Sequence, residues 1–354
     1  MEGSQQGVLE ALKTSARARS AWIVPASHTA GCLAKLALVG PGDRLVVFAD
    51  DAVARFTQQF SEQSLAFAAD CTPEAFVQAS HAMPVGEARE GTPASYAHAP
   101  GRAHGRLFWF VNSIGGRGLR VPDVRALSQE AARIGALLIV DNSLATSFGC
   151  HPLALGAHLV LEALDRVGQG RLSTQLVGVY VAPSFHKKGR LRLADPMAEE
   201  AYRLLTMRLG EPGSHACQVL EFDFATLAKG LESLADRMQT HMDGARAISE
   251  YVSCHPCVPA VFYPGLATHP DAHHAPTILE HGFGPALDVV LEDAVSAAHF
   301  LAHCSSTHVD KPAGGSWTRM HARDGKAGSV VRIVTGLEHP LIVCEAIEEA
   351  LRSL

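Results

Sequence analysis

Short, strongly apolar runs that alternate with helical patterns are the feature that most restricts how this chain can fold. Five such runs recur in the first half of the sequence. They are RLVVFAD from Arg44, GRLFWFVN from Gly105, GALLIVDN from Gly135, AHLVLEAL from Ala157 and LVGVYVA from Leu176. Continuous apolar runs of this length are typical of strands that are buried on both faces of a sheet.

A helical pattern separates the second run from the third. The segment VPDVRALSQEAARIG, from Val121 to Gly135, has a proline near its start and apolar residues at helical spacing. Strand, helix and strand in this order predict an α/β fold, with a mostly parallel sheet covered by helices on both faces.

The flanking segments indicate a second, smaller unit. The N-terminal stretch GVLEALKTSARARS predicts a helix, and PASHTAGCLAKLALVGPGD predicts a loop that opens into another. A polar, Pro/Ala/Gly-rich segment between Cys71 and Arg106 indicates a mobile excursion, and one long helix is predicted from Phe224 to about Cys254. The sequence therefore predicts a large domain over residues 1–250 and a small C-terminal α/β domain over residues 251–354.

Composition excludes several classes of partner. A formal charge of −6 over 354 residues gives no electrostatic footprint for nucleic acid or an acidic membrane surface. Eight cysteines without an apolar N-terminal signal segment favour a cytoplasmic protein with reduced thiols, and no run is long enough for a membrane helix. We interpret the C-x-x-C spacing of Cys254 and Cys257 as a coincidence, and HPDAHH, from His269 to His274, as a solvated surface segment and not a metal site.

Charged residues close the apolar runs where ligands usually bind. In open α/β sheets ligands lie at the carboxyl ends of strands, and Asp141 ends one run while Asp165 and Arg166 follow the next. Asp141 suits either a ring nitrogen that must stay protonated or a simple cap of the following turn. Arg332 lies inside an apolar strand, so its guanidinium should meet a carboxylate, either of the protein or of an amino-acid-like ligand.

Several segments in order resemble the Cys/Met-metabolism (trans-sulfuration) family of pyridoxal-phosphate (PLP) enzymes, which includes cystathionine γ-synthase, the cystathionine lyases and methionine γ-lyase. GALLIVDNSLATSFGCHPLALGAHLVLEALDRVGQG follows the family's V-D-N-T-x-A-T-P, P-L-x-x-G-A-D and S-A-T-K-Y-x-G-G-H pattern without a gap. FYPGLATHP, GFG, WTRMH and VVRIVTGLEHPLIVCEAIEEAL match its C-terminal half. The resemblance implies the type I fold of PLP-dependent transferases, which is aspartate-aminotransferase-like. It gives Asp141 the role of binding the cofactor's pyridine nitrogen and Arg332 that of binding the substrate α-carboxylate.

Other positions depart from the family pattern. The lysine that forms the Schiff base falls on Arg166, whose delocalised, permanently protonated guanidinium cannot replace an amine. The phosphate-binding turn falls on Pro25 to His28, which leaves Ser27 and His28 as a vestigial cofactor site. The stacking tyrosine falls at Ala52 or Val53, and the family's S-N-P asparagine near Gly116.

Further departures lie at the edges of the family pattern. A Y-x-R segment that family members lend to a neighbouring subunit has no counterpart before QQGVLEALK, and the substrate loop is shortened to Lys311–Trp317. The lysines Lys187, Lys188, Lys229, Lys311 and Lys326 match no cofactor position, and Lys311 is the best placed of them to act instead.

Three functions stay open at this point. The first is a degenerate relative without lyase or synthase catalysis, retained for assembly or regulation as a homodimer, a higher oligomer or a hetero-oligomer with an active relative. The second is an enzyme of sulfur amino-acid metabolism that binds PLP without a covalent bond to its own lysine. The third is a sensor of an anion or amino acid. We expect Arg166 to pair with Asp141, Asp165 or Glu162, or else to hold an anion.

Overall fold

The computed structural model describes residues 4–49, 52–83, 105–188, 191–212, 219–308, 311, 313–323 and 329–354, with the side chains of 185–194 excepted. The strands are β1 (Ser20–Pro25), β2 (Arg44–Phe48), β3 (Leu65–Phe67), β4 (Leu107–Asn112), β5 (Ala136–Asp141), β6 (Leu159–Ala163), β7 (Leu176–Val181), β8 (Phe185–Lys188), β9 (Leu191–Ala194), β10 (Ala260–Phe262), β11 (Ala286–Val290), β12 (Arg319–Arg323) and β13 (Val330–Val334).

The α-helices of the described residues are α1 (Gln5–Ser15), α2 (Thr29–Lys35), α3 (Ala52–Phe56), α4 (Pro73–Ala82), α5 (Val124–Ile134), α6 (Thr146–Gly149), α7 (Pro196–Leu209), α8 (Glu221–Glu232), α9 (Leu234–Val252), α10 (Ala275–Ile278), α11 (Ala294–His303) and α12 (Pro340–Arg352). Two short 3₁₀ turns, Glu62–Ser64 and Pro152–Leu155, complete them.

Seven strands form the large sheet, in the order β1-β7-β6-β5-β4-β2-β3. The five strands from β2 to β6 run parallel, and β7 and β1 are antiparallel to their neighbours. Apolar clusters cover both faces of this sheet, which is why its strands are continuously apolar. All five predicted strands are therefore confirmed, with the correction that the Leu176 strand runs antiparallel.

A second sheet of four antiparallel strands, in the order β10-β11-β13-β12, has its own apolar cluster with α9, α11 and α12. The long helix α9 also contacts α6, which lies in the first half of the chain, and α8, which directly precedes it. The predicted domain boundary after residue 250 falls near the end of α9 and stays a prediction.

Several local predictions need correction. The residues Ser20–Pro25, at the junction of the predicted N-terminal helix and the predicted loop, form instead the edge strand β1, which pairs with β7. Part of the predicted mobile excursion is the helix α4, capped by Thr72, while residues 84–104 lie outside the described residues. The proline of α5 lies before the N-cap Asp123 and not in the first turn.

The long helix predicted from Phe224 is also interrupted, at Ser233, where α8 ends and α9 begins. A Cβ on Gly230 would lie 1.7 Å from the Val167 carbonyl oxygen, so α8 packs directly on the turn after β6. The Arg237 guanidinium donates to carbonyl oxygens on both sides of this contact, at 2.7 Å to Arg166 and 2.8 Å to Gly230. This close packing lies at the junction where α8 ends and α9 begins.

Candidate functional site

The candidate site lies where the parallel strands of the large sheet end. Asp141 is the last residue of β5, Arg166 lies on the turn after β6, and the loop over residues 113–121 follows β4. Register brings the ends of these strands together, since Asp141 lies beside Asn112 of β4 and Leu161 of β6. The polar residues that close the apolar runs thus lie at the carboxyl edge of the sheet, as their positions in the sequence predict.

Asp141 is buried and is hydrogen-bonded by the protein itself. Its Oδ2 accepts from the Thr29 hydroxyl at 2.6 Å. Its Oδ1 accepts from the backbone N–H of Ser143 at 2.9 Å and from the hydroxyl of the same residue at 2.5 Å. Asp141 therefore caps the turn that follows β5 and joins that turn to the start of α2, which agrees with the simpler of the two roles considered above.

His28 covers the start of α2. It is the N-cap residue, and its Nδ1 accepts from the Gly31 N–H at 2.9 Å. The ring lies so close to this first turn that a Cβ on Gly31 would be 3.2 Å from the imidazole Cε1. Burial, and then the charge of Arg55, lower the pKa of His28, which keeps the ring neutral and Nδ1 able to accept.

The residues before His28 offer few donors. Pro25 has no N–H, and the N–H of Ala26 is used by the Gln175 carbonyl oxygen at 3.0 Å. Ser27 is exposed on the bend that precedes the helix. At the turn that the resemblance assigns to phosphate binding, the N–H groups of Ala26 and Gly31 are thus used by the protein itself.

Arg166 is buried, with 8% of the residue exposed, and it is anchored to backbone. Its Nη1 donates to the Ser143 carbonyl oxygen at 2.9 Å, and its own carbonyl oxygen accepts from Arg237 at 2.7 Å. Gly314 lies directly over it at a φ of +74°, and a Cβ there would be 2.4 Å from the Arg166 Cα. The shortened loop over residues 313–317 therefore packs on Arg166.

The ion pair expected for Arg166 is not formed. In the part of the chain that the structure describes, none of Asp141, Asp165 and Glu162 makes a direct ion pair with its guanidinium, whose hydrogen bond goes to a backbone carbonyl instead. Burial lowers the pKa of Arg166 to about 10, and the charge of Asp165 opposes this shift most strongly. The prediction was wrong because the acids act across longer distances, while the Ser143 carbonyl lies within reach.

Glu162 is a buried acid in the middle of an apolar strand, where the sequence pattern named it only as a partner for Arg166. Its Oε2 accepts from the backbone N–H of Ser147 at 3.1 Å and from the Ser147 hydroxyl at 2.8 Å. Burial raises the pKa of Glu162 to about 7, although the Ser147 hydrogen bonds oppose the shift. A single polar residue within LVLEA was the signal that could have identified it.

Two further polar groups near this edge were missed from the sequence. His241 of α9 donates from Nδ1 to the Gly336 carbonyl oxygen at 2.9 Å, and its Nε2 has no hydrogen-bond partner among the described residues. Burial and the charge of Arg166 lower its pKa to about 4, so the imidazole is neutral. The Tyr180 hydroxyl is likewise buried without a hydrogen-bond partner in the described part of the chain, and its ring covers Gly178.

Arg332 meets a carboxylate of the protein. It lies on β13 directly opposite Asp288 of β11, and both residues are buried. The Arg332 Nε is 2.7 Å from Oδ1 of Asp288, and Nη2 is 2.9 Å from Oδ2. Nη2 also donates to the Gly116 carbonyl oxygen at 3.0 Å, and Oδ2 accepts from the Gly118 N–H at 3.2 Å. The pair therefore joins the small sheet to the loop after β4.

The segment His269–His274 makes the same junction, which corrects its interpretation as a solvated surface segment. His269 and Asp271 are buried, and His269 Nε2 lies 2.9 Å from the Gly118 carbonyl oxygen. Asp271 accepts two hydrogen bonds from the Arg120 guanidinium, at 2.7 Å and 2.9 Å, and one from the Val121 N–H at 2.8 Å. Histidine and aspartate are used here as hydrogen-bonding groups of an interface, which composition alone did not indicate.

The remaining candidates are exposed or lie outside the described residues. Lys229 is an exposed residue of α8 and Lys311 is exposed, whereas the side chains of Lys187 and Lys188 and all of Lys326 are outside the description. Val53 is exposed on α3, and Cys254 and Cys257 are exposed thiols. Within the described ranges, no three His, Cys, Asp or Glu residues are grouped so as to hold a metal ion. None of the described helices combines the length and apolar character that crossing a bilayer requires.

The two sheets and their helices define the class of protein: a type I fold of PLP-dependent enzymes. A methionine gamma lyase structure from Micromonospora echinospora superposes with a TM-score of 0.72 at 22% identity, covering 98% of this chain and 85% of the other. A cystathionine gamma synthase structure from Xanthomonas oryzae, in complex with aminoacrylate and cysteine, gives a TM-score of 0.73 at 21% identity, covering 98% and 86%.

The family follows from the sequence. The family model described as Cys/Met metabolism PLP-dependent enzyme matches residues 6–351, so the chain belongs to that family. A cystathionine gamma-synthase of Mycobacterium bovis is 31% identical over 205 residues, which are 58% of this chain and 47% of that protein. An O-succinylhomoserine sulfhydrylase of Pseudomonas aeruginosa is 29% identical over 251 residues, 66% and 57% of the two chains. The chain thus spans about half the length of the curated relatives it matches.

Proposed function

We propose that this member of the trans-sulfuration family does not carry out lyase or synthase catalysis and acts through assembly or regulation. One observation carries the proposal: the three charged residues that the resemblance assigns to ligands are engaged by the protein itself. Asp141 accepts from Thr29 and Ser143. Arg166 donates to a backbone carbonyl oxygen, and Arg332 is paired with Asp288.

Arg166 supports the proposal through its chemistry. The resemblance assigns the lysine of the family to this position, where catalysis requires an amine that can lose its proton and attack a carbonyl carbon. Even with its pKa lowered to about 10 by burial, the guanidinium stays protonated at neutral pH. Its lone pairs are delocalised, and the backbone of Gly314 covers its Cα, so it cannot serve as that nucleophile.

The arrangement of residues at the start of α2 also supports the proposed absence of catalysis. A phosphate at a helix start needs exposed N–H groups and open space. Here the His28 imidazole takes the Gly31 N–H and covers the first turn, while Pro25 contributes no donor. These residues do not fit the phosphate of pyridoxal phosphate in the way that the family resemblance implies, so we derive no reaction step through the cofactor and infer that it is not bound covalently.

The rival function is an enzyme that binds PLP non-covalently through Asp141. Family membership favours it, because the family is PLP-dependent and its curated relatives are named as synthases and sulfhydrylases. We place it second because Asp141 is already hydrogen-bonded on both carboxylate oxygens. The sensor function is third, because it needs Arg166 and Arg332 to be available to an anion.

An assay of the purified full chain separates these functions. Formation of cystathionine is measured with cysteine and O-succinylhomoserine, and its cleavage is measured with cystathionine as the substrate, each with and without added PLP. Asp141→Asn is the matched control, since it removes the carboxylate and keeps the shape of the side chain. We expect no turnover above that of the control, and turnover that requires added PLP and is lost in Asp141→Asn would contradict the proposal.

The proposed partner is a second copy of this chain or an active relative, as the resemblance implies. The mass of the purified chain, alone and mixed with a cystathionine γ-synthase of the same cell, tests this by light scattering. A dimer or a mixed complex is the expected result, and a monomer under both conditions would contradict it.

A further inference from the structure

The pairing of Asp288 with Arg332 reproduces the way a guanidinium recognises a carboxylate of any origin. Two nearly parallel N–H···O contacts, at 2.7 Å and 2.9 Å, make the bidentate arrangement that gives arginine its preference for carboxylates. Both residues are about 97% buried or more, so the pair is desolvated, and it lies against the loop that follows β4. It therefore stands at the edge of the large sheet where ligands of such folds bind.

We propose that Asp288 is an internal carboxylate that occupies Arg332 and so excludes the carboxylate of an amino-acid ligand from the crevice. The inference rests on the proposed function for the assignment of Arg332 to ligand recognition. It goes further by naming the residue that closes the site and the chemical class of ligand that is excluded. Asp288 is in this sense a specificity-determining residue, since its side chain decides whether a carboxylate can be bound.

The position of Asp288 is fixed by its strand. Residues alternate across β11, so Leu287 and Val289 point into the apolar cluster of the small sheet while Asp288 points to the opposite face. The Cα register places it directly opposite Arg332, and the Gly118 N–H holds its Oδ2 at 3.2 Å. Because neighbours on two sides hold this carboxylate, it cannot swing away without leaving a buried guanidinium without its charge partner.

Removal of the Asp288 carboxylate should leave a binding site beside the Arg332 guanidinium that a small carboxylate from solution can occupy. In Asp288→Ala the missing atoms are a carboxylate group, which formate matches in size and charge. A formate ion in that place would restore the ion pair and stabilise the folded state by binding it preferentially. In the wild-type protein the Asp288 carboxylate occupies this site, so formate should change its stability only as much as chloride does.

The test measures thermal unfolding of the full chain in increasing sodium formate, with sodium chloride and formamide as controls for ionic strength and for a neutral ligand of the same shape. The variants are wild type, Asp288→Ala, and Asp288→Ala with Arg332→Met, which removes both charges. We expect a saturable rise of several degrees in the melting temperature of Asp288→Ala in formate only, and no such rise in the other two proteins.

A second measurement uses the wild-type chain as its main sample, so it does not depend on how well Asp288→Ala folds. Equilibrium binding of L-cysteine to the wild-type chain is measured by calorimetry without PLP, with Arg332→Met as the control. The proposal predicts that the wild-type chain shows no saturable binding of L-cysteine that depends on Arg332. Such binding, or a folded Asp288→Ala variant that formate does not stabilise, would overturn it.

The outcomes distinguish this inference from the proposed function. PLP-dependent turnover would contradict the proposed function whatever formate does to Asp288→Ala. L-cysteine binding through Arg332 in the wild type, without PLP-dependent turnover, would contradict the inference and favour the sensor function, and it would leave the proposed absence of catalysis unchanged.

Discussion

Two buried arginines, Arg166 in the large sheet and Arg332 in the small sheet, are stabilised in different ways. Arg332 faces a carboxylate directly across two antiparallel strands, at 2.7 Å and 2.9 Å. Arg166 lies on a turn, donates to a backbone carbonyl oxygen at 2.9 Å and has no direct ion pair within the described ranges. Strand register can place a counter-ion opposite a charge, whereas a turn offers mainly carbonyl dipoles.

The difference implies that the two guanidinium groups contribute unequally to stability. Removing one partner of a buried ion pair leaves an uncompensated charge, which costs roughly 3–5 kcal/mol. A guanidinium held by a carbonyl oxygen already bears much of its desolvation cost, so its replacement by an apolar group relieves part of that cost.

The largest effect is expected at the Arg332 pair. We expect Asp288→Leu and Arg332→Met each to lower the free energy of unfolding by about 3–5 kcal/mol, because each leaves the other charge buried without its counter-ion. Urea unfolding of the two single variants and of the double variant Asp288→Leu with Arg332→Met measures the coupling. The double variant should recover most of the loss, and additive losses would show that the pair is not coupled.

The second-largest effect is expected from Glu162, whose titration near Arg166 should make the stability of the chain depend on pH. The pKa of Glu162 is about 7 in the folded chain, above its ordinary value of 4.5, because burial disfavours the charged form. Its contribution to stability is therefore complete below about pH 4.5 and is lost as the pH rises through about 7, by up to about 3 kcal/mol.

Glu162→Gln removes this titration and keeps an oxygen that can accept from Ser147. We expect the stability of wild type relative to Glu162→Gln to fall between about pH 4.5 and 7 and to stay constant above that range. Urea midpoints at several pH values measure it. A difference that does not change with pH would mean that Glu162 is ionised throughout, as a direct ion pair with Arg166 would require.

A smaller effect is expected at Arg166 itself. Arg166→Met should change the free energy of unfolding by less than about 1.5 kcal/mol, since the lost hydrogen bond is offset by relief from burying a charge. Arg332→Met is the matched control and should cost at least twice as much. If the two variants proved equally destabilised, the contrast between the two arginines would be wrong.

The smallest effect is expected at the start of α2. His28→Ala removes the cap that accepts from the Gly31 N–H, and the loss should be about 1 kcal/mol. His28→Asn, which can cap in the same way, is the control and should restore most of the stability. Equal losses in both variants would show that the ring stabilises the turn by packing and not as a cap.

The sequence predicted the large sheet well because its strands are buried on both faces and so carry a continuous apolar signal. It failed for β1, an edge strand at the junction of the predicted N-terminal helix and the predicted loop. It also failed for the break at Ser233, where Gly230 and Arg237 contact the turn after β6. Helical periodicity does not encode such contacts.

The sequence predicted where the candidate site residues lie in the large sheet, but it did not predict the hydrogen-bond partners of the two arginines. Asp141, Arg166 and the edge they share follow from where the apolar runs end. The partner of Arg332 lies 44 residues earlier in the chain, and that of Arg166 is a backbone oxygen, so neither has a local signature. The buried role of His269 and Asp271 was missed for the same reason, since their partners lie in the loop after β4.

The central claim is that this chain does not bind PLP covalently and does not carry out the catalysis of the family. Its most direct test is a visible absorbance titration of the purified chain with pyridoxal phosphate, followed by borohydride reduction and mass analysis of the peptides. The account predicts no saturable absorbance band and no lysine that is labelled site-specifically, since Arg166 provides no amine and His28 covers the start of α2. A saturable band that reduction fixes to one lysine would contradict it and would identify the nucleophile that this chain uses instead.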